Sequence, residues 1–320
     1  MLQKKPQNGS KVPGMAEQLE AGGLHAGVVL RTAEAMRQLL ARPLPAGLYL
    51  VATPIGNLAD ITLRALAVLA QADVLYCEDT RHSRTLLAHY AIGRPVRAYH
   101  EHNAARERPR VLADLAAGKS VALISDAGTP LVSDPGYKLV REAIDAGVPV
   151  TALPGPSAPL AALATAGLAM EAFLFAGFLP PRSSARRARL EELKDVPATL
   201  VFFEAPSRLA ESLGDIAAVL GDRETAVARE LTKLHEEVRR GTAVELARWA
   251  AEAAPKGEMV IVVAPPTAKI IADEEIAARL TTLLARMSLS DAARAVAHDL
   301  GVSRKRAYDL ALALQREGGA

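Results

Sequence analysis

The chain has 320 residues, of which 50% are hydrophobic and 4% aromatic, and its formal net charge at pH 7 is +2. No apolar run reaches the roughly 18 residues of a membrane span, and the single cysteine, Cys77, excludes a disulfide framework or a cysteine-rich zinc site. Because positive and negative charges nearly balance, overall basicity cannot be the basis of nucleic-acid binding. Any nucleic-acid site must therefore be a local patch.

Residues 1–46 are predicted to be an extension, disordered or partly helical, to which we assign no function. Residues 1–14 are polar and rich in proline and glycine, which favours disorder. Residues 16–42 have the pattern of an amphipathic helix interrupted at Gly22-Gly23. The lysines near the N-terminus are not followed by the apolar core of a signal peptide, so we expect a cytoplasmic protein.

Residues 47–165 are predicted to form a first α/β domain. Apolar runs alternate with helical patterns, which indicates a parallel sheet covered by helices. The predicted strands cover 48–52, 73–78, 96–99, 121–125 and 148–152. The predicted helices cover 62–71, 81–90, 104–117 and 137–146.

Residues 166–266 are predicted to form a second α/β domain, and residues 267–320 a small helical unit. The second domain has predicted strands at 173–178, 199–204, 225–229 and 258–263, with helices at 185–194, 207–220 and 243–254. The C-terminal unit has predicted helices at 273–286, 289–300 and 303–316. The last two resemble a helix-turn-helix, with Ser290 and Ser303 as helix caps and Gly301 at the turn.

Three loops rich in glycine and proline follow predicted strands of the first domain, at 53–57, 125–130 and 153–158. Ligands of open α/β sheets bind at the carboxyl ends of the strands. Glycine and proline let the backbone approach a ligand closely and rigidly. The loops predict a site for a flat, amphipathic ligand, although each loop alone could be an ordinary strand-to-helix turn.

Several common signatures are missing. The chain has no G-x-G-x-x-G after its first strand and no phosphate-binding P-loop, which argues against a Rossmann dehydrogenase and a P-loop ATPase. It also has no H-E-x-x-H and no G-x-S-x-G, and we predict no metal site.

The chain resembles the small-subunit ribosomal RNA methyltransferase I family over about residues 47–316. The strings that carry the resemblance are VATPIGNLADITLRAL (51–66), CEDTRHSRTLL (77–87), YHEHN (99–103), ISDAGTPLVSDPG (124–136), ALPGPSA (152–158), FFEAPSR (202–208) and KGEMVIVV (256–263). They occur in the family's order and are highly specific as a set.

The resemblance implies a tetrapyrrole-methylase fold of two α/β domains with parallel and mixed sheets, and S-adenosylmethionine in the cleft. It implies 2′-O-methylation of a decoding-centre cytidine, cytidine 1402 of 16S rRNA, in the small ribosomal subunit. It also implies a homodimer with no membrane partner. The cofactor residues that it suggests are Pro54, Gly56, Asp126, Ala127, Gly128, Thr129, Ser133, Ser157, Ala158, Glu204, Ala205, Glu258 and Met259.

Methyl transfer to a ribose hydroxyl needs a positioned nucleophile and is helped by a base. Candidates that follow predicted strands are Glu78, Asp79, His100, Glu101 and His102. Glu78 and Asp79 could instead cap a helix or pair with arginine, and the histidines could lie on a surface loop. These alternatives stay open, with Glu78, Asp79 and His100 as the first candidates.

RNA contacts require local cations. The candidates are Arg81, Arg84, Arg182, Arg186, Arg187, Arg208, Arg304 and Lys305. The dense run at 182–189 could also be an ordinary solvated helix face, because two glutamates follow it. The tail could be a helical hairpin used only for packing.

Two other functions remain possible from the residues. The same fold could methylate a precorrin-like tetrapyrrole, but the arginine run and the helical tail argue against that substrate. A non-enzymatic nucleic-acid-binding protein could use the tail, but it would leave the three glycine- and proline-rich loops without a role.

Overall fold

The computed structural model describes residues 25–267 and 272–317. The chain divides into two compact units, with the boundary between Pro266 and Thr267. The predictions for residues 1–24, including the interruption at Gly22-Gly23, lie outside the described residues. In the described ranges, every helix is too short or too polar to cross a membrane.

The first unit contains a five-stranded parallel sheet of order β3-β2-β4-β1-β5. Its strands are β1 (Gly47–Val51), β2 (Val74–Cys77), β3 (Val96–Ala98), β4 (Ser120–Ile124) and β5 (Val150–Leu153). The helices of this part of the chain are α1 (Ala26–Ala41), α2 (Leu63–Gln71), α3 (Thr80–His89), α4 (Glu101–Ala116), α5 (Tyr137–Asp145) and α6 (Ala158–Ala166). Every residue of β2 and β4 is buried, as expected for a parallel sheet packed on both faces.

The sheet order places the three predicted ligand loops side by side. Strand β1 lies between β4 and β5, and Val51 at its end pairs with Ile124 and with Leu153. The next residues are also joined, because Thr53 and Gly128 exchange two backbone hydrogen bonds of 2.9 Å. Loops that are far apart in sequence therefore start side by side at the carboxyl ends of neighbouring strands.

A second five-stranded sheet in the same unit has the order β6-β7-β10-β8-β9, with only β6 and β7 parallel. Its strands are β6 (Phe173–Phe178), β7 (Thr199–Glu204), β8 (Glu224–Arg229), β9 (Glu237–Thr242) and β10 (Met259–Val263). Its helices are α7 (Ser183–Leu193), α8 (Leu209–Leu220) and α9 (Ala243–Ala253). The further division of this unit at residue 165 stays a prediction.

Strand β9 and helix α6 were not predicted from the sequence. Strand β9 reads EVRRGT and forms the edge of its sheet, where charged side chains protect the strand from further pairing. Its pattern therefore lacks the apolar run that indicates a buried strand. Helix α6 reads APLAALATA, in which small apolar residues on every side hide the helical period.

A bulge in β6 changes the direction of Phe178. The pairing with β7 shifts between Phe175, opposite Val201, and Phe178, opposite Phe203, so three residues of β6 span two of β7. Gly177 within the bulge has a φ of +69°. As a result both phenylalanines contact the Phe203 ring, with centroid distances of 4.9 Å from Phe175 and 5.3 Å from Phe178.

The second unit is a three-helix arrangement of α10 (Asp273–Leu284), α11 (Leu289–Leu300) and α12 (Arg304–Glu317). Its core includes Ile276, Leu280, Ala292, Val296 and Ala311. The predicted turn at Gly301 is confirmed by its φ of +63° at the end of α11.

One of the two predicted caps in this unit is correct. Ser303 Oγ accepts a hydrogen bond of 3.2 Å from Arg306 N at the start of α12. The other cap is wrong by two residues, since Ser288 rather than Ser290 caps α11 and accepts from Asp291 N at 3.2 Å.

Candidate active site

A cavity of about 410 Å³ lies in the first unit between the loops of the parallel sheet and residues of the second sheet. The loop after β4 and the start of α6 form one wall. The ends of β6 and β7 and the segment leading into β10 form the other. The lining residues include Ile55, Ala127, Gly128, Thr129, Val132, Ser133, Asp134, Ser157, Ala158, Phe178, Phe203, Glu204, Ala205, Leu231, Gly257, Glu258 and Met259.

The loop after β4 adopts a strained backbone where it faces the cavity. Gly128, Leu131, Ser133 and Gly136 all have positive φ, a conformation that L-residues such as Leu131 and Ser133 rarely adopt. Thr129 Oγ1 also donates a hydrogen bond of 3.2 Å to Pro156 O in the loop after β5. Strain of this kind concentrates at functional sites, where the surrounding structure enforces it.

The facing segment before β9 is strained in the same way. Glu230 and Thr232 have φ values of +51° and +65°, and Leu231 between them lines the cavity. Thr232 Oγ1 accepts a hydrogen bond of 3.1 Å from Asn57 N, which joins this segment to the loop after β1. A Cβ on Gly56 would lie 2.9 Å from Leu231 O, so glycine is required for this close approach.

Most of the cofactor residues suggested by the resemblance line the cavity. They are Ala127, Gly128, Thr129, Ser133, Ser157, Ala158, Glu204, Ala205, Glu258 and Met259. Pro54, Gly56 and Asp126 are not among the lining residues, and their contact with a ligand stays a prediction. Gly56 instead packs against the segment at Leu231, and Asp126 Oδ1 accepts a hydrogen bond of 2.8 Å from Asp79 N.

Several residues of the cavity wall were not predicted from the sequence. Ile55, Val132 and Asp134 lie within the strings quoted above, and only their side-chain directions were unknown. Phe178 is a different case. Its side chain reaches the cavity because of the bulge in β6, and the sequence carries no distinct signal for it beyond the nearby Gly177.

Two of the carboxylates in the cavity wall have cationic partners. Glu204 Oε1 lies 2.7 Å from Arg208 Nη2, and Glu204 Oε2 accepts a hydrogen bond of 2.5 Å from Ser212 Oγ. Glu258 Oε2 lies 3.1 Å from Lys233 Nζ. Arg208, expected to contact RNA, is thus paired with a buried glutamate and also donates to Leu179 O at 3.3 Å.

The third carboxylate, Asp134, has no basic partner within the described ranges. Its Oδ2 lies 2.6 Å from Ser125 Oγ. Burial raises the pKa of Asp134, and the nearby Asp126 adds to this, while the bond with Ser125 opposes it. Asp134 therefore holds a proton more readily than an exposed aspartate does.

Asp79, a candidate base, has the structural role that was left open for it. Its Oδ1 accepts a hydrogen bond of 2.8 Å from Arg81 N at the start of α3, and its Oδ2 lies 2.7 Å from Arg81 Nη2. Hydrogen bonds from the Arg81 side chain and backbone lower the pKa of Asp79 to about 2. A carboxylate with so low a pKa is a weak proton acceptor.

Glu78 and His100, the other first candidates, are also absent from the cavity wall. Glu78 lies behind it, in a small recess that it shares with Tyr99, Ser125 and Asp134. Burial and then the charge of Asp134 raise the pKa of Glu78. His100 precedes α4, and its backbone N–H donates to Asn103 Oδ1 at 2.8 Å. Glu101 and His102 are exposed on α4.

The structure contradicts the predicted RNA contact of Arg186. This side chain is 1% exposed, and its Nε lies 2.6 Å from Asp215 Oδ2. Arg186 shares the inward face of α7 with Leu190 and Leu193, at the spacing of a helical stripe. Arg187 is 56% exposed, although its Nε also lies 2.6 Å from Asp215 Oδ1.

The remaining predicted RNA contacts are exposed side chains. In the first unit they are Arg81, Arg84 and Arg182. In the second unit they are Arg304 and Lys305, at the start of α12. No metal-binding group of three or more His, Cys, Asp or Glu side chains occurs in the part of the chain that the structure describes.

Two family models match the chain. The model "Tetrapyrrole (Corrin/Porphyrin) Methylases" matches residues 47–247, and the model "RsmI C-terminal HTH domain" matches residues 271–315. The first match includes the cavity walls as far as Leu231. The second covers α10, α11 and most of α12.

Two curated relatives match this chain over almost their whole length. A ribosomal RNA small subunit methyltransferase I from Mesorhizobium japonicum is 56% identical over 88% of this chain and 97% of the relative. A protein of the same name from Pseudomonas aeruginosa is 45% identical over 85% of this chain and 98% of the relative.

Solved structures share the fold at low sequence identity. A cobalt precorrin-4 methyltransferase of cobalamin biosynthesis is 19% identical, with a TM-score of 0.53 over 68% of this chain and 94% of that one. A conserved hypothetical protein from Aeropyrum pernix is 18% identical, with a TM-score of 0.55 over 86% of this chain and 98% of that one. Together with the family match, these likenesses confirm the predicted fold class.

Proposed function

The chain belongs to the ribosomal RNA small subunit methyltransferase I family of S-adenosylmethionine-dependent methyltransferases, and on that premise we propose that it methylates the ribose 2′-hydroxyl of cytidine 1402 in 16S rRNA. Its acceptor would be the small ribosomal subunit. We also propose that it is a homodimer in the cytoplasm.

The observation that supports a methyl donor site is the cavity between the two sheets. Its volume of about 410 Å³ lies within the range of small-molecule sites, about 300–1,000 Å³. Its wall consists of apolar side chains, small hydroxyls, backbone groups and the carboxylates of Asp134, Glu204 and Glu258, without lysine, arginine or histidine among the described lining residues. Such a wall fits S-adenosylmethionine, which has a flat base, a ribose and a sulfonium but no phosphate.

The loops of the parallel sheet would hold the methyl donor. Ala127, Gly128 and Thr129 offer backbone groups from one loop, and Ser157 and Ala158 close the same wall from the next. When bound, S-adenosylmethionine supplies an activated methyl group on sulfur. The hydrogen bonds between Thr53 and Gly128 and from Thr129 to Pro156 fix these loops, so little ordering is required on binding.

The exposed arginines would contribute the contacts to RNA. Arg81, Arg84 and Arg182 in the first unit are accessible to phosphate groups, as are Arg304 and Lys305 in the second. Contacts of this kind position the substrate and make binding dependent on salt. Because the net charge of the chain is only +2, overall charge does not select the acceptor, and we expect the shape of the ribosomal RNA to do so.

The test is methyl transfer to small subunits from cells that lack this protein. Purified protein is incubated with the subunits and S-adenosylmethionine labelled in its methyl group, and the label is mapped by nuclease digestion. A ribose methylated at its 2′-oxygen also resists alkaline cleavage of the following phosphodiester bond. Label on the ribose of cytidine 1402 supports the proposal, whereas label on a base or on another nucleotide contradicts it.

A parallel reaction with a precorrin-like tetrapyrrole tests the other acceptor that the fold could serve. We expect no transfer to it. Transfer to the tetrapyrrole without transfer to rRNA would replace the proposed function.

A further inference from the structure

Asp134 differs from the other carboxylates of the cavity wall in having no cationic partner among the described residues. Glu204 has Arg208 and Ser212 on its two oxygens, and Glu258 has Lys233. Asp134 contacts Ser125 through Oδ2 alone, and the described residues place no Lys, Arg or His beside it. Asp134 also lines the cavity, and its Oδ1 makes no hydrogen bond to the described residues.

The surroundings of Ser125 suit both protonation states of Asp134. Ser125 Oγ lies 2.6 Å from Asp134 Oδ2 and 2.9 Å from Ala127 O, and it accepts a bond of 3.2 Å from Ala127 N. A hydroxyl has one hydrogen, so Ser125 donates either to Asp134 or to Ala127 O. An ionised Asp134 accepts that hydrogen. An Asp134 that is protonated on Oδ2 donates to Ser125 Oγ, and the Ser125 hydroxyl then donates to Ala127 O.

Asp134 can therefore take up a proton without losing this hydrogen bond. A proton on Oδ1 leaves Oδ2 accepting from Ser125, and a proton on Oδ2 requires only that the Ser125 hydroxyl rotate to Ala127 O. Glu204 lacks this property, since its protonation would weaken an ion pair with Arg208. The groups that surround Asp134 favour uptake as well. The carboxylates of Asp126 and Glu78 lie nearby, and burial of Asp134 disfavours its ionised form.

We propose that Asp134 is the general base that accepts the proton of the ribose hydroxyl during methyl transfer, an inference that rests on the proposed function. As the hydroxyl oxygen attacks the methyl carbon, its proton passes to Asp134. A carbon–oxygen bond forms, the carbon–sulfur bond breaks, and its electron pair remains on sulfur to give S-adenosylhomocysteine. The proton then leaves Asp134 for solvent after the product departs.

The experiment measures single-turnover methyl transfer to small subunits at saturating S-adenosylmethionine over a range of pH. Variants are Asp134→Asn, Asp134→Glu and Ser125→Ala, with Asp145→Asn as a matched control. Asp145 lies at the exposed end of α5 and pairs with Arg141, so its neutralisation removes one charge away from the cavity. Affinity for S-adenosylmethionine is measured by calorimetry on the same preparations.

We expect Asp134→Asn to lower the rate by about 10²- to 10⁴-fold, the usual contribution of a general base, with cofactor affinity retained. The wild-type rate should rise with pH as Asp134 ionises and then level off, and Asp134→Asn should abolish this rise. Ser125→Ala should move the rise to higher pH, because it removes a hydrogen bond to the ionised form. Asp134→Glu should restore part of the rate.

A wild-type rate in Asp134→Asn would overturn the proposal, as would an unchanged pH profile. Equal losses of rate in Asp134→Asn and Asp134→Glu, in step with loss of cofactor affinity, would assign Asp134 a structural role instead. If Asp134→Asn does not fold, the pH profile of Ser125→Ala decides. Absence of methyl transfer by the wild-type protein would reject the proposed function, which separates that failure from a failure of the base assignment.

Discussion

Asp126 and Asp79 join two loops of the parallel sheet, because Asp126 Oδ1 accepts a hydrogen bond of 2.8 Å from the backbone N–H of Asp79. Asp79 Oδ1 in turn accepts a hydrogen bond from Arg81 N and caps the start of α3. The loops follow the adjacent strands β4 and β2, where Ile124 pairs with Cys77. Asp126 therefore links the two loops at the carboxyl ends of these strands.

Asp126→Ala should lower the free energy of unfolding by about 1–3 kcal/mol, because the partly buried N–H of Asp79 loses its acceptor. Asp126→Asn keeps a side-chain oxygen that can accept this hydrogen bond, so its loss should be smaller. Urea denaturation of both variants measures the difference. Equal stability of the alanine and wild-type proteins would show that this hydrogen bond contributes nothing to the free energy of unfolding.

Gly128→Val should weaken S-adenosylmethionine binding at least about tenfold, because the residue lines the cavity at a φ of +80° and the valine Cβ would contact Ile55 Cγ2 at 3.4 Å. The matched control is Gly118→Val. Gly118 has nearly the same φ, +76°, but has open space around it and does not line the cavity. Calorimetry should show a loss in the first variant only, and a similar loss in both would point to a general effect of backbone strain.

Arg186→Ala should destabilise the protein by about 3–5 kcal/mol, because it removes a buried partner of Asp215. Arg187→Ala is the natural comparison, since Arg187 pairs with the same carboxylate but is more than half exposed. Its loss should be about 1 kcal/mol or less. Chemical denaturation at neutral pH ranks the two variants, and the reverse order would contradict the burial of Arg186.

Stability should also fall in acid through Asp215. Burial opposes ionisation of this carboxyl, but hydrogen bonds from Arg187, Arg186 and Ser183 outweigh it and hold the pKa of Asp215 below its usual value. A lowered folded-state pKa stabilises the fold above the unfolded-state pKa, near 3.9, and this stabilisation is lost as the pH falls through the folded-state pKa. Unfolding curves of wild-type protein and Asp215→Asn between neutral pH and acid should converge as the pH falls.

Charge reversal of Arg304 and Lys305 should weaken binding to small subunits and reduce its dependence on salt, because both side chains are exposed at the start of α12. Cofactor affinity should not change. A variant with Arg279→Glu and Arg286→Glu carries the same change in charge. Both side chains are exposed, Arg279 within α10 and Arg286 just after it. Equal losses in both double variants would indicate a nonspecific effect of net charge in the second unit.

Much of the fold follows from local sequence pattern. Predicted strands 173–178 and 199–204 have the observed bounds, and predicted helix 289–300 coincides with α11. These segments have a clear apolar run or helical period, which short stretches of sequence contain in full. Strand β9 and helix α6 were missed because an exposed edge strand and a helix of small apolar residues lack those signals.

The candidate site was predictable in its loops but not in its side chains. Gly128, Thr129 and Ser157 line the cavity as the resemblance suggested, because the glycine- and proline-rich strings already determine where the backbone turns. Asp79 was a candidate base with a helix cap as the open alternative, and the structure shows the cap. Arg186 was a candidate for RNA contact, whereas it forms a buried ion pair.

The sequence by itself determined the strand-loop-helix order, the family and the loops that border the cavity, since these depend on neighbours along the chain. Only the tertiary structure decided which carboxylate of the cavity wall lacks a cationic partner among the described residues. Glu204 is paired with Arg208, Glu258 with Lys233 and Asp79 with Arg81, while Asp134 faces the cavity beside Ser125. The basicity of a carboxylate depends on burial and nearby charge, and distant segments of the chain supply both.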